Sequence, residues 1–412
     1  MNSEQILMLL MAIVLIDFIV DRVLAFLNDK HKDLPIPDEL KGIYSQNKYG
    51  ESLSYQKTNH VFGEFSAAFS FVLTFMALFF GWFGWLDQWI RNFSSDNLVI
   101  ALVFFGVIWA VGDIGSIPFQ LYKIFVIEER FGFNKMSGRT FILDKLKSYL
   151  LTIIFGGLII SIFIYLIEWM GSSFWVYFLA VIAFFMIFIN IFYTSIIIPL
   201  FNKLTPLEDG ELRQSINSYS KKVGFPLKNI LMIDGSKRSK KGNAFFSGLW
   251  GAKKIVLYDT LISQHSVEEL TAVLAHEVGH YKKKHILTMT ILSLCQITFM
   301  LFLLSLMLSN GDWSFALGGS TASIHLNVLA FGILYTPLSK SIGVLFNLLS
   351  RRHEFQADRY AGTTFSAKPL ISALMKMSSD HLSNLNPHPA YVFVYFSHPA
   401  LLQRVRALQQ LI

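Results

Sequence analysis

Cysteine is nearly missing from this chain. Cys295 is the single one in 412 residues, so no intrachain disulfide can form and no cysteine-built metal cage is available. Charge is scarce as well: Asp, Glu, Lys and Arg together make up 15%, against about 25% in an average soluble domain, which argues against an ordinary cytosolic enzyme. The net charge of +7 is not gathered into one basic stripe of the kind that follows a phosphate backbone. Long apolar segments interrupt it, and no nucleic acid is expected as a partner. Internal repeats and low-complexity stretches are lacking too, and Leu34-Pro-Ile-Pro37 is the one obvious stiff linker. What the chain has in excess is apolar bulk: 53% hydrophobic residues and 39 phenylalanines, with a mean hydropathy of +0.48. Such a chain is expected to be solvated partly by membrane lipids.

About 20 consecutive apolar residues are needed to cross a hydrocarbon core of roughly 30 Å. Seven runs of that kind fall near 6–27, 65–86, 98–118, 148–168, 174–198, 286–309 and 325–350. No Lys or Arg precedes the first and no small-residue cleavage site follows it, so it reads as an anchor that stays. Lys340 and several hydroxyl residues make the seventh the weakest. The intervening segments 28–64, 119–147, 199–285 and 351–412 hold 5, 6, 14 and 7 Lys and Arg, whereas 1–5, 87–97, 169–173 and 310–324 hold 0, 1, 0 and 0. By the positive-inside rule the N-terminus is expected outside and the C-terminus in the cytoplasm, which requires an odd number of spans. Asp17, Asp21, Asp113, Glu168 and Lys340 lie inside these runs. Charges at that depth usually face a partner, the bundle interior or a water-filled cavity, so a wet interior is plausible.

The largest polar segment reads as a small α+β unit. Glu211 to Val223 has helical spacing, while Lys228–Met232 and Lys254–Tyr258 are strand-like. Ser266-Val-Glu-Glu269 has the form of a capping box, which starts a helix near 267. That helix carries His276-Glu277-Val278-Gly279-His280. Residues i and i+4 share a helix face, so two imidazoles can reach one ion while the carboxylate beside them takes a proton from water. The motif alone is weak enough for context to matter.

A catalytic zinc also needs a third protein ligand and an open position. Beyond the seventh run, His353-Glu354-Phe-Gln-Ala-Asp358 places two carboxylates four apart on a helix. One can ligate and the other can orient a ligating imidazole; His353 is a further candidate ligand, offset by about 100° around the helix. Asn243-Ala244-Phe245-Phe246 is a short β-prone stretch that offers an edge to which a peptide strand can add.

These pieces, taken in order, resemble the type I CAAX prenyl protease family of integral-membrane zinc metalloproteases. The resemblance spans nearly the whole chain. It rests on Pro37–Leu40, Phe125–Asn134, Ile198–Leu207, Asn243–Gly248, Lys254–Asp259, His276–His280, Glu354 to Asp358, and Ser397-His-Pro399 with Arg404. It implies that His276, His280 and Glu354 bind one zinc ion, that Glu277 is the general base, and that Asp358 supports the site from behind. It further implies that His398 stabilises the oxyanion, that Arg404 lies near the substrate end, and that Asn243, Ala244, Phe245 and Phe246 run along an extended peptide.

The fold class expected is a mainly α, seven-span membrane protein enclosing a large chamber, with a small α+β cytoplasmic protease unit. Its parts are 1–198 with five spans, 199–285 with the catalytic helix, 286–350 with two spans, and 351–412 completing the zinc site. The expected substrate is a peptide or protein with a prenylated Cys-a-a-X end, and no oligomer is required. General membrane-protein quality control is the alternative, and a transporter with a structural zinc a more distant one. The Lys-, Ile- and Phe-rich composition favours a bacterial inner membrane over endoplasmic reticulum.

Overall fold

A helix satisfies its own backbone hydrogen bonds, which lipid cannot do, so long apolar runs settle into long helices. In the computed structural model, which describes residues 1–247 and 253–412, helices dominate and a single small sheet accompanies them. The principal helices are α1 (Ser3–His31), α2 (Gln46–Phe79), α3 (Trp82–Arg91), α4 (Asn97–Tyr122), α5 (Gly138–Leu151), α6 (Gly157–Met170) and α7 (Phe174–Phe192). They continue with α8 (Glu211–Lys222), α9 (Val267–Lys282), α10 (His285–Met307), α11 (Ile324–Ala361), α12 (Ala367–Asp380), α13 (Pro389–Tyr395) and α14 (Leu401–Gln409).

Among the described residues, five helical stretches are long and apolar enough to cross a membrane: Asn47–Phe79, Asn97–Glu128, Gly138–Phe201, His285–Met307 and Ile324–Asp380. The sequence-based count is seven runs, and the two counts divide the chain differently. Runs 148–168 and 174–198 both lie in Gly138–Phe201, where α6 and α7 pack on each other across a turn at Gly171–Ser173. The run 6–27 lies in α1, outside the five stretches. The run expected at 65–86 is cut. Gly81 takes a left-handed φ of 66°, a conformation glycine adopts without steric penalty, and α3 starts anew with Trp82, Trp85 and Trp89 exposed and Leu86 and Ile90 buried.

Four of the five charges expected at membrane depth are ion-paired among the described residues, while Glu168 accepts Asn97 Nδ2 at 2.9 Å. Lys340 of α11 reaches Asp17 at 2.5 Å and Asp21 at 2.6 Å on α1, and Asp113 of α4 meets Lys145 at 2.6 Å. One apolar core joins α1, α4, α6, α7, α10 and α11 through residues such as Leu10, Phe104, Ile164, Leu301 and Leu326.

The sheet comprises β1 (Leu204–Pro206), β2 (Leu227–Ile233), β3 (Ala244–Ser247) and β4 (Lys253–Tyr258), in the order β1-β2-β4-β3. β2 and β4 are parallel, and β1 and β3 join them antiparallel on either side. Ile255, Leu257, Ala244 and Phe246 of the sheet pack with Leu274, Ala275 and Val278 of α9 and with Leu370, Leu374 and Leu408 from the C-terminal helices. This second core fixes α9 between the sheet and the last sixty residues.

Candidate active site

The helix α9, which carries His276, Glu277 and His280, is anchored at its start. Ser266 Oγ accepts the Glu269 amide at 3.2 Å and Glu269 Oε2 accepts the Ser266 amide at 3.0 Å, so two amides that a helix N-terminus leaves unpaired are satisfied. Glu269 also accepts Ser372 Oγ at 2.6 Å and lies 3.4 Å from Lys376, tying α9 to α12. Two turns further on, α9 meets α11. A Cβ built on Gly279 would lie 2.9 Å from Ala357 Cα and 3.1 Å from Ala357 O, so only glycine lets these backbones approach so closely. Gly279→Ala should part the helices and lower both bound metal and kcat/KM by tenfold or more, read by metal analysis and steady-state kinetics; unchanged values would show that the approach can relax.

This approach gathers the side chains. One ligating atom each from His276, His280 and Glu354 lie within 4.8 Å of one another. His276 Nε2 is 3.4 Å from Glu354 Oε2 and 3.1 Å from His280 Nε2, which in turn is 3.3 Å from Glu354 Oε1. Behind His276, its Nδ1 lies 2.8 Å from Asp358 Oδ1, and Arg404 grips both oxygens of Asp358, with Nε at 2.8 Å and Nη2 at 2.7 Å. A carboxylate can only accept, so a metal-bound His276 would carry its proton on Nδ1, toward Asp358, and turn Nε2 to the ion on the side of His280 and Glu354.

These residues fit a metal ion. Glu354 Oε2 is buried without a hydrogen bond, with His276 Nε2 at 3.4 Å and Arg404 Nη1 at 3.5 Å, so it has a lone pair for a cation placed between them. Two nitrogens and one oxygen suit a borderline ion such as zinc and leave a coordination position open. His353 does not join this group; its ring stacks on His285 with centroids 3.9 Å apart.

Glu277 lies beside the cluster, and its carboxylate has no hydrogen bond among the described residues. Burial pushes its carboxyl up from the ordinary range, while the nearby imidazoles of His276 and His280 pull the other way. A proton acceptor works best when its affinity is raised toward the working pH.

His398 stands at the open side, its side chain 62% exposed and its Nε2 3.3 Å from Glu354 Oε1. The segment that carries it is held by residues that sequence reasoning did not find. Arg351 donates to Val392 O at 3.0 Å and Phe396 O at 2.5 Å, and Asn347 to Val394 O at 2.7 Å. All three carbonyls belong to the last turn of α13 or just beyond; Val392 O also accepts the Phe396 amide at 3.1 Å, whereas Val394 and Phe396 lie past the point where a helix amide could reach them. Arg351 lies three residues before Glu354 and Asn347 seven before it, and neither belongs to a sequence pattern that would single it out. Arg404, expected near the substrate end, also reaches the cluster, with Nη1 3.5 Å from Glu354 Oε2. It is buried, and Nε and Nη2 of its fork are held by Asp358, which places it directly behind His276 and Glu354.

Asn243, Ala244, Phe245 and Phe246 fall on β3 or directly before it, at the end of the sheet. β3 pairs with β4 through Ala244↔Leu257 and Phe246↔Ile255, and among the described residues its other edge carries no strand. Phe246 packs on Phe225 at 5.2 Å between centroids. Gly248, the last residue of the expected motif, lies outside the described residues.

Known proteins share this architecture. The profile described as CAAX prenyl protease N-terminal, five membrane helices, matches residues 26–203, and that of peptidase family M48 matches residues 206–412. CAAX prenyl protease 1 of Saccharomyces cerevisiae is 37% identical over 77% of this chain and 74% of its own length. A CAAX prenyl protease 1 homolog of Arabidopsis thaliana is 34% identical over 90% of both. The crystal structure of S. mikatae Ste24p superposes with a TM-score of 0.93, at 30% identity and over 99% of both chains. The chain belongs to peptidase family M48, as an integral-membrane metalloprotease with the CAAX prenyl protease N-terminal region.

Proposed function

We propose that the protein is a zinc metalloendopeptidase that cuts a peptide bond near the C-terminus of prenylated Cys-a-a-X substrates. The observation that carries the chemistry is the meeting of His276, His280 and Glu354 around one point, with Glu277 next to His276 on the same helix. The substrate class is carried by the relatives, which are named as CAAX prenyl proteases.

A zinc ion held by His276, His280 and Glu354 would polarise both the attacking water and the scissile carbonyl. Glu277 takes the proton from that water and returns it to the leaving amine. His398, on the open side of the cluster, donates to the carbonyl oxygen as it gains negative charge. Asp358, clamped by Arg404, holds the His276 ring in its ligating tautomer. The exposed edge of β3, with Asn243, Ala244, Phe245 and Phe246, pairs with the backbone of an extended substrate, leaving side-chain choice largely open.

The rest of the proposal concerns the membrane. Seven spans, counting α1, surround a water-filled chamber, and the protease unit formed by 199–285 and 351–412 faces the cytoplasm. The support for this orientation is the Lys and Arg alternation between the spans. Composition supports a bacterial inner membrane, although the relatives named above are eukaryotic.

Purified protein given a farnesylated Cys-a-a-X peptide and the same peptide without the lipid should cleave the first at least tenfold better in kcat/KM. Equal cleavage of both would replace the prenyl reading with general membrane-protein proteolysis. Cleavage of neither, with one zinc bound, would remove the protease reading for these substrates.

A further inference from the structure

His280 has no carboxylate behind it, yet its second nitrogen is not idle. His285 Nδ1 lies 3.0 Å from His280 Nδ1, and His285 Nε2 lies 2.8 Å from Gln356 Oε1. We propose that His285 and Gln356 are positioning residues that fix the tautomer and ring orientation of His280 for the metal. This rests on the reading of His280 as a metal ligand.

The polarity of the chain follows from the groups themselves. An amide oxygen only accepts, so His285 carries its proton on Nε2. A neutral His285 then presents a bare Nδ1, which accepts a hydrogen bond from Nδ1–H of His280. With its proton thus placed, His280 turns a bare Nε2 toward His276 Nε2 and Glu354. Both histidines now offer lone pairs to each other across 3.1 Å, a repulsive arrangement that a cation between them resolves. Burial keeps water from competing: His285 is 4% exposed, and its ring lies flat on that of His353, 9° from parallel.

The backbone shows how His285 reaches this place. On a continuous helix, five residues turn through about 500°, and His285 would point well away from His280. Instead α9 ends at Lys282, and Lys284 takes a left-handed φ of 57°. Few non-glycine residues adopt that region, and the bend it makes folds the start of α10 back over α9. Gln356 comes from α11, two residues after Glu354. The two ligating histidines are thereby supported differently. A charged pair, Asp358 with Arg404, stands behind His276, and a neutral imidazole and amide stand behind His280. The neutral chain adds no further negative charge to a site that already holds Glu277, Glu354 and Asp358.

The test measures zinc affinity directly, by competition with a chromophoric chelator, using the purified full-length protein in detergent. His285→Ala should weaken zinc binding by about 10- to 100-fold, the loss typical of removing such a support. His285→Gln keeps an acceptor and should stay within about threefold of wild type. His285→Phe keeps the ring and its stack on His353 but has no nitrogen, and should be as weak as His285→Ala. Gln356→Met should show a smaller loss in the same direction. Wild-type affinity in His285→Phe would assign the effect to packing and overturn the proposal, as would an unchanged constant in His285→Ala. Failure of the wild type to bind one zinc would instead overturn the metal reading on which the proposal stands.

Discussion

Glu277→Gln should reduce kcat/KM by about 10²- to 10⁴-fold while the protein keeps its metal, because positioned proton transfer contributes that much. The substitution keeps the shape and hydrogen-bonding reach of the side chain but removes its ability to take a proton. Glu277 is not among the three residues whose atoms converge within 4.8 Å, so metal content should stay at one ion per chain. A thousandfold loss corresponds to about 4 kcal/mol of transition-state stabilisation, more than the loss of a carboxylate with no chemical role would produce. Equal turnover by wild type and Glu277→Gln would mean that another group moves the proton, and the mechanism proposed above would fail at its central step.

The second large effect is on the metal itself. Glu354→Ala and His280→Ala should each lower bound zinc to a small fraction of the wild-type content and abolish peptide cleavage; chelation of the wild type should do the same, with zinc restoring it. The structure leaves little room for a substitute. Asp358 is occupied on both oxygens by Arg404, and His353 is turned away in its stack with His285. Full zinc retention in Glu354→Ala would show that one of these swings into the ligand set, and the assignment of Glu354 would have to be given up. Metal analysis on the purified variants distinguishes these outcomes before any substrate is added.

The chemistry was legible in the sequence to the extent that it is local. His276, Glu277 and His280 lie within five residues, and helix geometry alone places the two imidazoles together. Glu354 and Asp358 were recognisable as a pair, but spacing could not say which one faces the histidines. That depends on how α9 and α11 cross, and on Gly279, whose missing side chain sets their separation. Other supports are far apart in sequence and carry no pattern. Arg351 reaching the carbonyls of α13 and His285 reaching both His280 and Gln356 appear only once the chain is folded. The helix boundaries failed to show for another reason. Hydropathy registers apolar content, not backbone continuity, so it ran the second apolar segment through Gly81, where the helix breaks.

That unbroken passage of α11 acts as a ruler with a phase. Lys340, joined to Asp17 and Asp21, and Glu354 are fourteen residues apart on one rod, which sets them about 21 Å apart along its axis. The height of the cluster above the ion-paired rung is therefore a matter of residue count rather than loop conformation. One residue inserted between them would rotate Glu354 by about 100° relative to Lys340 and carry it off the histidine face. Four would restore most of the angle but displace it by about 6 Å. A family that keeps this geometry can change almost any side chain between the two points more easily than it can change their number.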